Sequence, residues 1–150
     1  MEYKVLKMEE AHIRGVFEIE KECFSSPWSE DGIRSELENP NARFFVAEYN
    51  GDVFGYAGMH TVCGECYIAN VAVHEAYRKN GIASALLEML EETAKKENGE
   101  FITLEVRKSN ENAIRLYSRL GYKEVGVRKN YYSKPTEDAV LMTKTIEVLK

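Results

Sequence analysis

The residues best suited to chemistry lie near the middle of the chain. Ile68-Ala69-Asn70-Val71-Ala72-Val73 is an apolar run of strand character. After the turn His74–Tyr77 it leads into Arg78-Lys79-Asn80-Gly81-Ile82-Ala83, the opening of a helix. A helix N-terminus carries backbone N–H groups without intrahelical partners and a partial positive charge, so it binds phosphate. Gly81 lets backbone approach an anion with no side chain between them. Arg78 and Lys79 add charge, and small Ala83 keeps the first turn open. The natural ligand of such a turn is a pyrophosphate; a tight turn with solvated basic side chains would carry the same residues. The phosphate-loop pattern Gly-x-x-x-x-Gly-Lys-Ser/Thr is absent, and so is the dinucleotide fingerprint Gly-x-Gly-x-x-Gly.

Further along, Glu105 stands mid-strand between Leu104 and Val106. A carboxylate there faces a cleft, where it can take a proton, or is a solvated strand residue. Tyr117 shares a helical face with Ala113, Leu116 and Leu120. Packing is the ordinary role for such a tyrosine, but a phenol is protonated at neutral pH and can also donate. Asn110, Ser109 and Asn112 all suit the N-cap of that helix. Trp28, Tyr131 and Tyr132 either wall the entrance to a cleft or pack loops against a sheet.

Two other groups carry less. Cys63-Gly64-Glu65-Cys66 has the spacing of half a zinc knuckle or a redox pair, but no second Cys or His pair accompanies it. A structural zinc site takes four ligands, so no metal is expected. His12, His60 and His74 are scattered and form no nucleophile triad with Ser or Cys, which favours direct group transfer over a covalent enzyme intermediate.

These residues need a scaffold, and the pattern predicts strand, two helices, three strands, helix, strand, helix and two strands. Tyr3–Lys7 alternates as a strand. Ile13, Val16, Phe17 and Phe24 mark a helical face within Glu9–Phe24, stopped by Pro27. Ser29 caps a helix over Glu30–Glu38 that ends before Pro40. Arg43–Tyr49 and Val53–Thr61 are strands joined at Asn50-Gly51, a pair suited to positive φ. Tyr67–Val73 follows, then a helix over Ile82–Lys96 with Ile82, Leu86, Leu87, Leu90 and Ala94 on one face, ended by Asn98-Gly99. Phe101–Arg107 is a strand, Asn112–Leu120 a helix ended by Gly121, and Tyr122–Lys129 and Ala139–Ile146 are strands joined through Lys134–Asp138. The expectation is an α/β fold over residues 1–150, one domain with a central mixed sheet and helices on both faces.

The composition fits that frame. The chain has 150 residues, 44% hydrophobic and 30% charged, with a net charge of −5. A domain of this length folds without disulfides or metal. The acidic balance argues against a partner gripped through nucleic-acid phosphates and weakly favours a cationic substrate. With three cysteines, no signal peptide and no apolar run of membrane length, a cytoplasmic setting is expected and a membrane is not.

The Arg-x-x-Gly-x-Ala turn after its apolar strand resembles the coenzyme A-binding motif of the GNAT superfamily of N-acetyltransferases. Asn110-Glu111-Asn112-Ala113-Ile114-Arg115-Leu116-Tyr117-Ser118-Arg119-Leu120-Gly121-Tyr122 is similar to that superfamily's Asn-x-x-Ala-x-x-Leu-Tyr-x-x-x-Gly-Phe/Tyr stretch. Phe24–Ser29, Leu104–Arg107, Arg128–Tyr132 and Glu137–Ala139 look like its RimI branch, the ribosomal-protein-alanine N-acetyltransferases. Ala83 stands where a second glycine is common, and His74-Glu75 where Asp-Pro is often found.

The resemblance implies a GNAT fold and acetyl-CoA as cosubstrate. It implies as acceptor the N-terminal alanine of a small-subunit ribosomal protein; a lysine side chain, a polyamine or an aminoglycoside are alternative acceptors, and a non-catalytic acyl-CoA sensor is a further alternative. It implies Glu105 as proton acceptor and Tyr117 as proton donor to the thiolate. Val71, Ala72 and Val73 would hold the pantetheine by their backbone. Arg78, Lys79, Asn80, Gly81, Ile82, Ala83 and Ser84 would hold the pyrophosphate, and Asn110 would also contact the coenzyme. Trp28, Tyr131 and Tyr132 would wall the peptide side. A monomer or weak dimer is expected.

Overall fold

A computed structural model describes residues 2–146. Its elements follow the expected order. The first half comprises β1 (Lys4–Lys7), α1 (Ile13–Cys23), α2 (Glu30–Glu38), β2 (Ala42–Tyr49), β3 (Asp52–Val62) and β4 (Glu65–Val73). The second comprises α3 (Ile82–Lys96), β5 (Phe101–Arg107), α4 (Glu111–Arg119), β6 (Lys123–Tyr132) and β7 (Glu137–Thr145). The differences from expectation lie at ends. A 3-10 turn, Glu10–His12, replaces the start of the first predicted helix. The last hairpin is tighter than expected, because Tyr132 pairs with Glu137 across it.

Local chemistry accounts for the turns. Asn50 and Gly51 have φ of 50° and 86°, the left-handed pair that a two-residue hairpin needs. The Ser29 hydroxyl accepts from the Gly32 N–H at 3.0 Å and caps α2, satisfying one of the orphan donors of that helix.

The seven strands form one sheet in the order β1-β2-β3-β4-β5-β7-β6. Every pairing is antiparallel except β4 with β5. On one face Ile13, Val16, Ile19 and Ile33 of α1 and α2 pack with Phe44, Val46 and Tyr56. On the other, Leu86, Leu87 and Leu90 of α3 and Tyr117 of α4 pack with Ala57, Met59, Ile102, Leu104 and Val106. The sheet is mixed, with helices on both faces.

One pairing is cut short. β4 meets β5 only at Glu65–Phe101, Cys66–Ile102 and Tyr67–Thr103. Just beyond, Met59 of β3 faces Ile68 while Gly58 faces Asn70, so Ala69 is an extra residue. A bulge of this kind bends and twists its strand. From there β4 stays with β3, β5 stays with β7, and the two part. The bulge also changes which way side chains point. Ile68 and Val71 pack with the α3–α4 cluster, whereas Ala69 and Ala72 pack with the α1–α2 cluster.

Gly58 sits at this irregularity beneath the Phe44 ring, and an added Cβ would lie 2.3 Å from it. Gly58→Ala should cost about 1–3 kcal/mol by overpacking. The check is urea unfolding, with a lowered midpoint at unchanged slope. A wild-type midpoint would mean that the Phe44 ring turns aside freely.

Candidate active site

Where β4 and β5 part, a cleft of about 470 Å³ opens. Ile68–Val71 form one bank and Leu104–Arg107 the other, with Asn110, Ala113 and Tyr117 reaching in from α4. Glu20, Cys23 and Trp28 close it from α1 and the loop that follows, and Tyr131 and Tyr132 from the end of β6. The structure thus brings Glu105, Tyr117, Asn110, Val71, Trp28, Tyr131 and Tyr132 to one cavity. Ala72 and Val73 continue the β4 bank. The Arg78–Ser84 turn lies past the end of β4 and does not line the cleft.

Strand alternation orients Glu105. Leu104 and Val106 are buried in the core under α3, so Glu105 points to the opposite face. It is half-buried, and its Oε1 lies 3.4 Å from Nε of Arg128. Burial first, then contact with the Glu105 carboxylate, pushes the Tyr131 phenol up. Burial and the Glu105 charge push Tyr132 up to about 12. Both tyrosines therefore stay protonated beside the carboxylate at neutral pH.

Tyr117 comes from the other side of the sheet. It is 9% exposed, stands edge-on to Tyr122 at 5.7 Å, and is pushed up to about 12, chiefly by burial. A carboxylate and a protonated phenol thus face one gap from opposite faces of the sheet.

The α4 entrance is clamped. Asn110 Oδ1 accepts from the Ala113 N–H at 3.2 Å and caps α4. Glu137 accepts from the Ser109 N–H at 2.6 Å and from Arg107 Nη1 at 3.2 Å. Arg107 also donates to the Pro135 and Ser133 carbonyls, each at 3.0 Å, and its guanidinium lies 4.5 Å over the Tyr132 ring.

The start of α3 fits an anion. Gly81 is its N-cap at φ 75°, and no side chain caps the helix. No heavy atom lies within 4 Å of where a Cβ would stand on Gly81. The first intrahelical bond runs from the Ala85 N–H to the Gly81 carbonyl at 3.0 Å, so the N–H groups of Ile82, Ala83 and Ser84 have no helical acceptor. Asn80 Nδ2 donates to the Tyr77 and Arg78 carbonyls at 3.0 and 3.1 Å and holds the turn. Arg78 braces the end of β4 against α1, with Nε donating to the Val73 carbonyl at 3.1 Å and Nη2 to Cys23 Sγ at 3.3 Å.

Sequence reasoning missed Glu20, which is only 1% exposed. Its Oε1 accepts from the Trp28 N–H at 3.0 Å, and its Oε2 from the Tyr56 hydroxyl at 2.6 Å and from Asn70 Nδ2 at 3.2 Å. Burial pushes its carboxyl up, while the bonds from Tyr56 and Trp28 pull it back. The available signal was spacing: Ile13, Val16 and Glu20 share one helical stripe, so an acid stands where an apolar residue belongs. Cys66 is buried and Cys63 exposed. Among the described residues no group of three or more His, Cys, Asp or Glu is placed to share a metal ion.

The acetyltransferase (GNAT) family model matches residues 13–122. The [ribosomal protein bS18]-alanine N-acetyltransferase of Escherichia coli is 34% identical over 148 residues, covering 96% of this chain and 98% of that one. A Bacillus subtilis protein, whose assignment to the same activity is itself an inference, is 39% identical over 132 residues, covering 87% of each. The crystal structure of the E. coli ribosomal-protein-S18-alanine N-acetyltransferase aligns with a TM-score of 0.90 at 31% identity, covering 99% of this chain and 97% of that one.

Glu137 offers a test of the clamp at α4. The Ser109 hydroxyl, then the Ser109 N–H, hold its carboxyl below the usual range, with Arg107 assisting. A carboxylate lowered on folding adds stability above its unfolded value and loses it as pH falls through the folded one. Wild type should therefore melt above Glu137→Gln at pH 7, and the two should converge as the medium is acidified well below the ordinary glutamate value of 4.5. Melting curves at a series of pH values check this; a gap of constant size would trace the loss to packing.

Proposed function

Because the chain belongs to the acetyltransferase (GNAT) family, we propose that it transfers acetyl from acetyl-CoA to the N-terminal alanine of a small-subunit ribosomal protein, in the cytoplasm. The supporting observation is the pair formed by Glu105 and Tyr117, facing one cleft from opposite faces of the sheet. The names of the relatives support the acceptor.

Acetyl-CoA supplies an acyl group activated as a thioester. The uncapped N–H groups of Ile82, Ala83 and Ser84 take the pyrophosphate, aided by Lys79. The edge of β4 at Val71, Ala72 and Val73, apart from the Val73 carbonyl that Arg78 holds, offers backbone groups to the pantetheine arm, and one N–H there meets the charge building on the attacked carbonyl oxygen. Asn110 contacts the coenzyme with the part of its amide not used as a cap.

An α-amino group has a pKa of about 7.7–8.0, so most of it is protonated near neutral pH. Glu105 receives that proton, directly or through water, and frees the lone pair. As the carbon–sulfur bond breaks, Tyr117 donates its phenolic proton to the departing sulfur, and the proton that the new amide nitrogen sheds restores the phenol, through solvent. The two steps are separated by the sheet: the amine enters on the α1 side, where Trp28, Tyr131 and Tyr132 form the walls, and the thiol leaves on the α4 side.

The deciding assay offers three acceptors: an alanine-starting peptide, the same peptide N-blocked but carrying a free lysine, and a polyamine. Fast acetylation of the free alanine terminus alone is expected, and preference for the blocked peptide would overturn the acceptor. Tyr117→Phe should lower kcat by about 10²- to 10⁴-fold, the usual worth of a general acid. Glu105→Gln should spare coenzyme binding and be slowest relative to wild type at low pH, where the amine is protonated; a defect equal at all pH would remove Glu105 as base. Gly81→Ala forces a Cβ into the left-handed region at a cost of about 1–2 kcal/mol and should weaken acetyl-CoA binding in calorimetry while leaving the peptide KM unchanged.

A further inference from the structure

Asn70 is the residue that the β4 bulge turns onto the face where Glu105 lies. Its neighbours Ile68 and Val71 point to the α3–α4 side, but Asn70 reaches Tyr56 and Glu20 on the α1 side. It is half-buried and lines the cleft. Its Nδ2 donates to Glu20 Oε2 at 3.2 Å and to the Tyr56 hydroxyl at 3.1 Å.

An amide side chain has two ends of similar shape, and its surroundings decide which end goes where. Here the choice is forced. A carboxylate only accepts, and Glu20 already takes an N–H from Trp28 and an O–H from Tyr56. The Tyr56 hydroxyl spends its proton on Glu20 and can only accept from Asn70. Both groups facing Asn70 from beneath therefore require its NH₂ end, and the carbonyl oxygen Oδ1 is left to the cleft side. No partner for Oδ1 occurs among the hydrogen bonds of the described residues.

An acceptor oxygen on the cleft wall, on the same face as the Glu105 carboxylate, matches one class of ligand: a primary amine or ammonium, which brings N–H donors. We propose that Asn70 Oδ1 binds the acceptor amine by accepting one of its N–H groups, and that Glu20 is the positioning residue that keeps this oxygen turned to the cleft. The proposal rests on the acetyltransferase reading above and adds to it a contact to the nucleophile. Through the Trp28 N–H the same carboxylate also fixes the loop that closes the cleft, so the orientation of the amide and the position of the wall have one anchor.

The roles separate in a double-mutant cycle. Asn70→Ala should raise KM for the acceptor amine about tenfold or more and change acetyl-CoA binding in calorimetry less than twofold. Glu20→Gln gives Asn70 a partner that can donate as well as accept, which releases the amide to flip. It should raise the amine KM in the same direction, and adding Asn70→Ala to it should cost little more, since coupled residues are not additive. Glu20→Asp keeps an acceptor-only group and should recover part of the loss. The chain's one tryptophan, Trp28, reports whether the wall stays in place, so its emission should be unchanged in Asn70→Ala.

An unchanged amine KM in Asn70→Ala, with wild type active, overturns the proposal by itself. Asn70 is half-exposed and its alanine variant decides this even where the Glu20 variants fail to fold. Fully additive losses in the cycle would overturn the positioning role of Glu20. Absence of transfer by wild type to any of the three acceptors would instead overturn the acetyltransferase reading beneath it.

Discussion

Three residue pairs join β4 to β5, and the ladder ends there because β4 carries one residue too many for its β3 partner at Ala69. A strand edge without a partner is costly inside a protein unless something else takes its hydrogen bonds. Here β5 leaves the edge of β4 beyond Tyr67 unpaired, in a sheet whose other strands are paired over longer runs. The bulge converts a sheet into a clamp, and the remaining features of the site are arranged around the opening. The Arg78 guanidinium and the Val73 carbonyl tie the end of β4 to α1. Glu137 ties the end of β5, through Arg107, to β7 and to Ser109 in the loop that leads into α4. Each bank is thus braced at its far end, β4 against α1 and β5 against β7.

The electrostatics follow from the same opening. Tyr117 is buried under the gap and keeps its proton because burial penalises the phenolate. Glu105 remains at the wetter face, flanked by Arg128 and two phenols. Two titratable groups close in sequence, twelve positions apart, owe their different surroundings to lying on opposite sides of one sheet. Glu20 is the third acid of the region and the most deeply buried, with each oxygen occupied by a donor.

Much of this was legible beforehand, and for identifiable reasons. The order of elements was readable because Ile82, Leu86, Leu87, Leu90 and Ala94 repeat at helical spacing and because Asn50-Gly51 admits one kind of turn. The strand–turn–helix at Gly81 was readable because a glycine between a strand and a helix marks an uncapped helix start. Glu105, Tyr117 and Asn110 came from the resemblance, since spacing alone left each with a structural alternative; for Asn110 that alternative, the cap of α4, is present as well. The bulge at Ala69 was not legible, because one inserted residue leaves no mark in an apolar strand. With it went the side on which Asn70 faces. Glu20 was hidden for a related reason: its partners Tyr56 and Asn70 lie 36 and 50 residues away in the chain, and only the fold brings them together.

The short β4–β5 ladder has a mechanical consequence. The paired stretch is about 10 Å long and the unpaired part of β4 about 20 Å, at roughly 3.3 Å per residue. The two half-sheets therefore meet at a narrow hinge with a lever arm twice its own length. One degree of rotation there moves the far end of β4 by about 0.3 Å, and bond-forming geometry degrades over shifts of about 1 Å. Cys66 and Ile102 stand at that junction and are buried with α3 in one core that spans both halves of the sheet, so packing there opposes such a rotation.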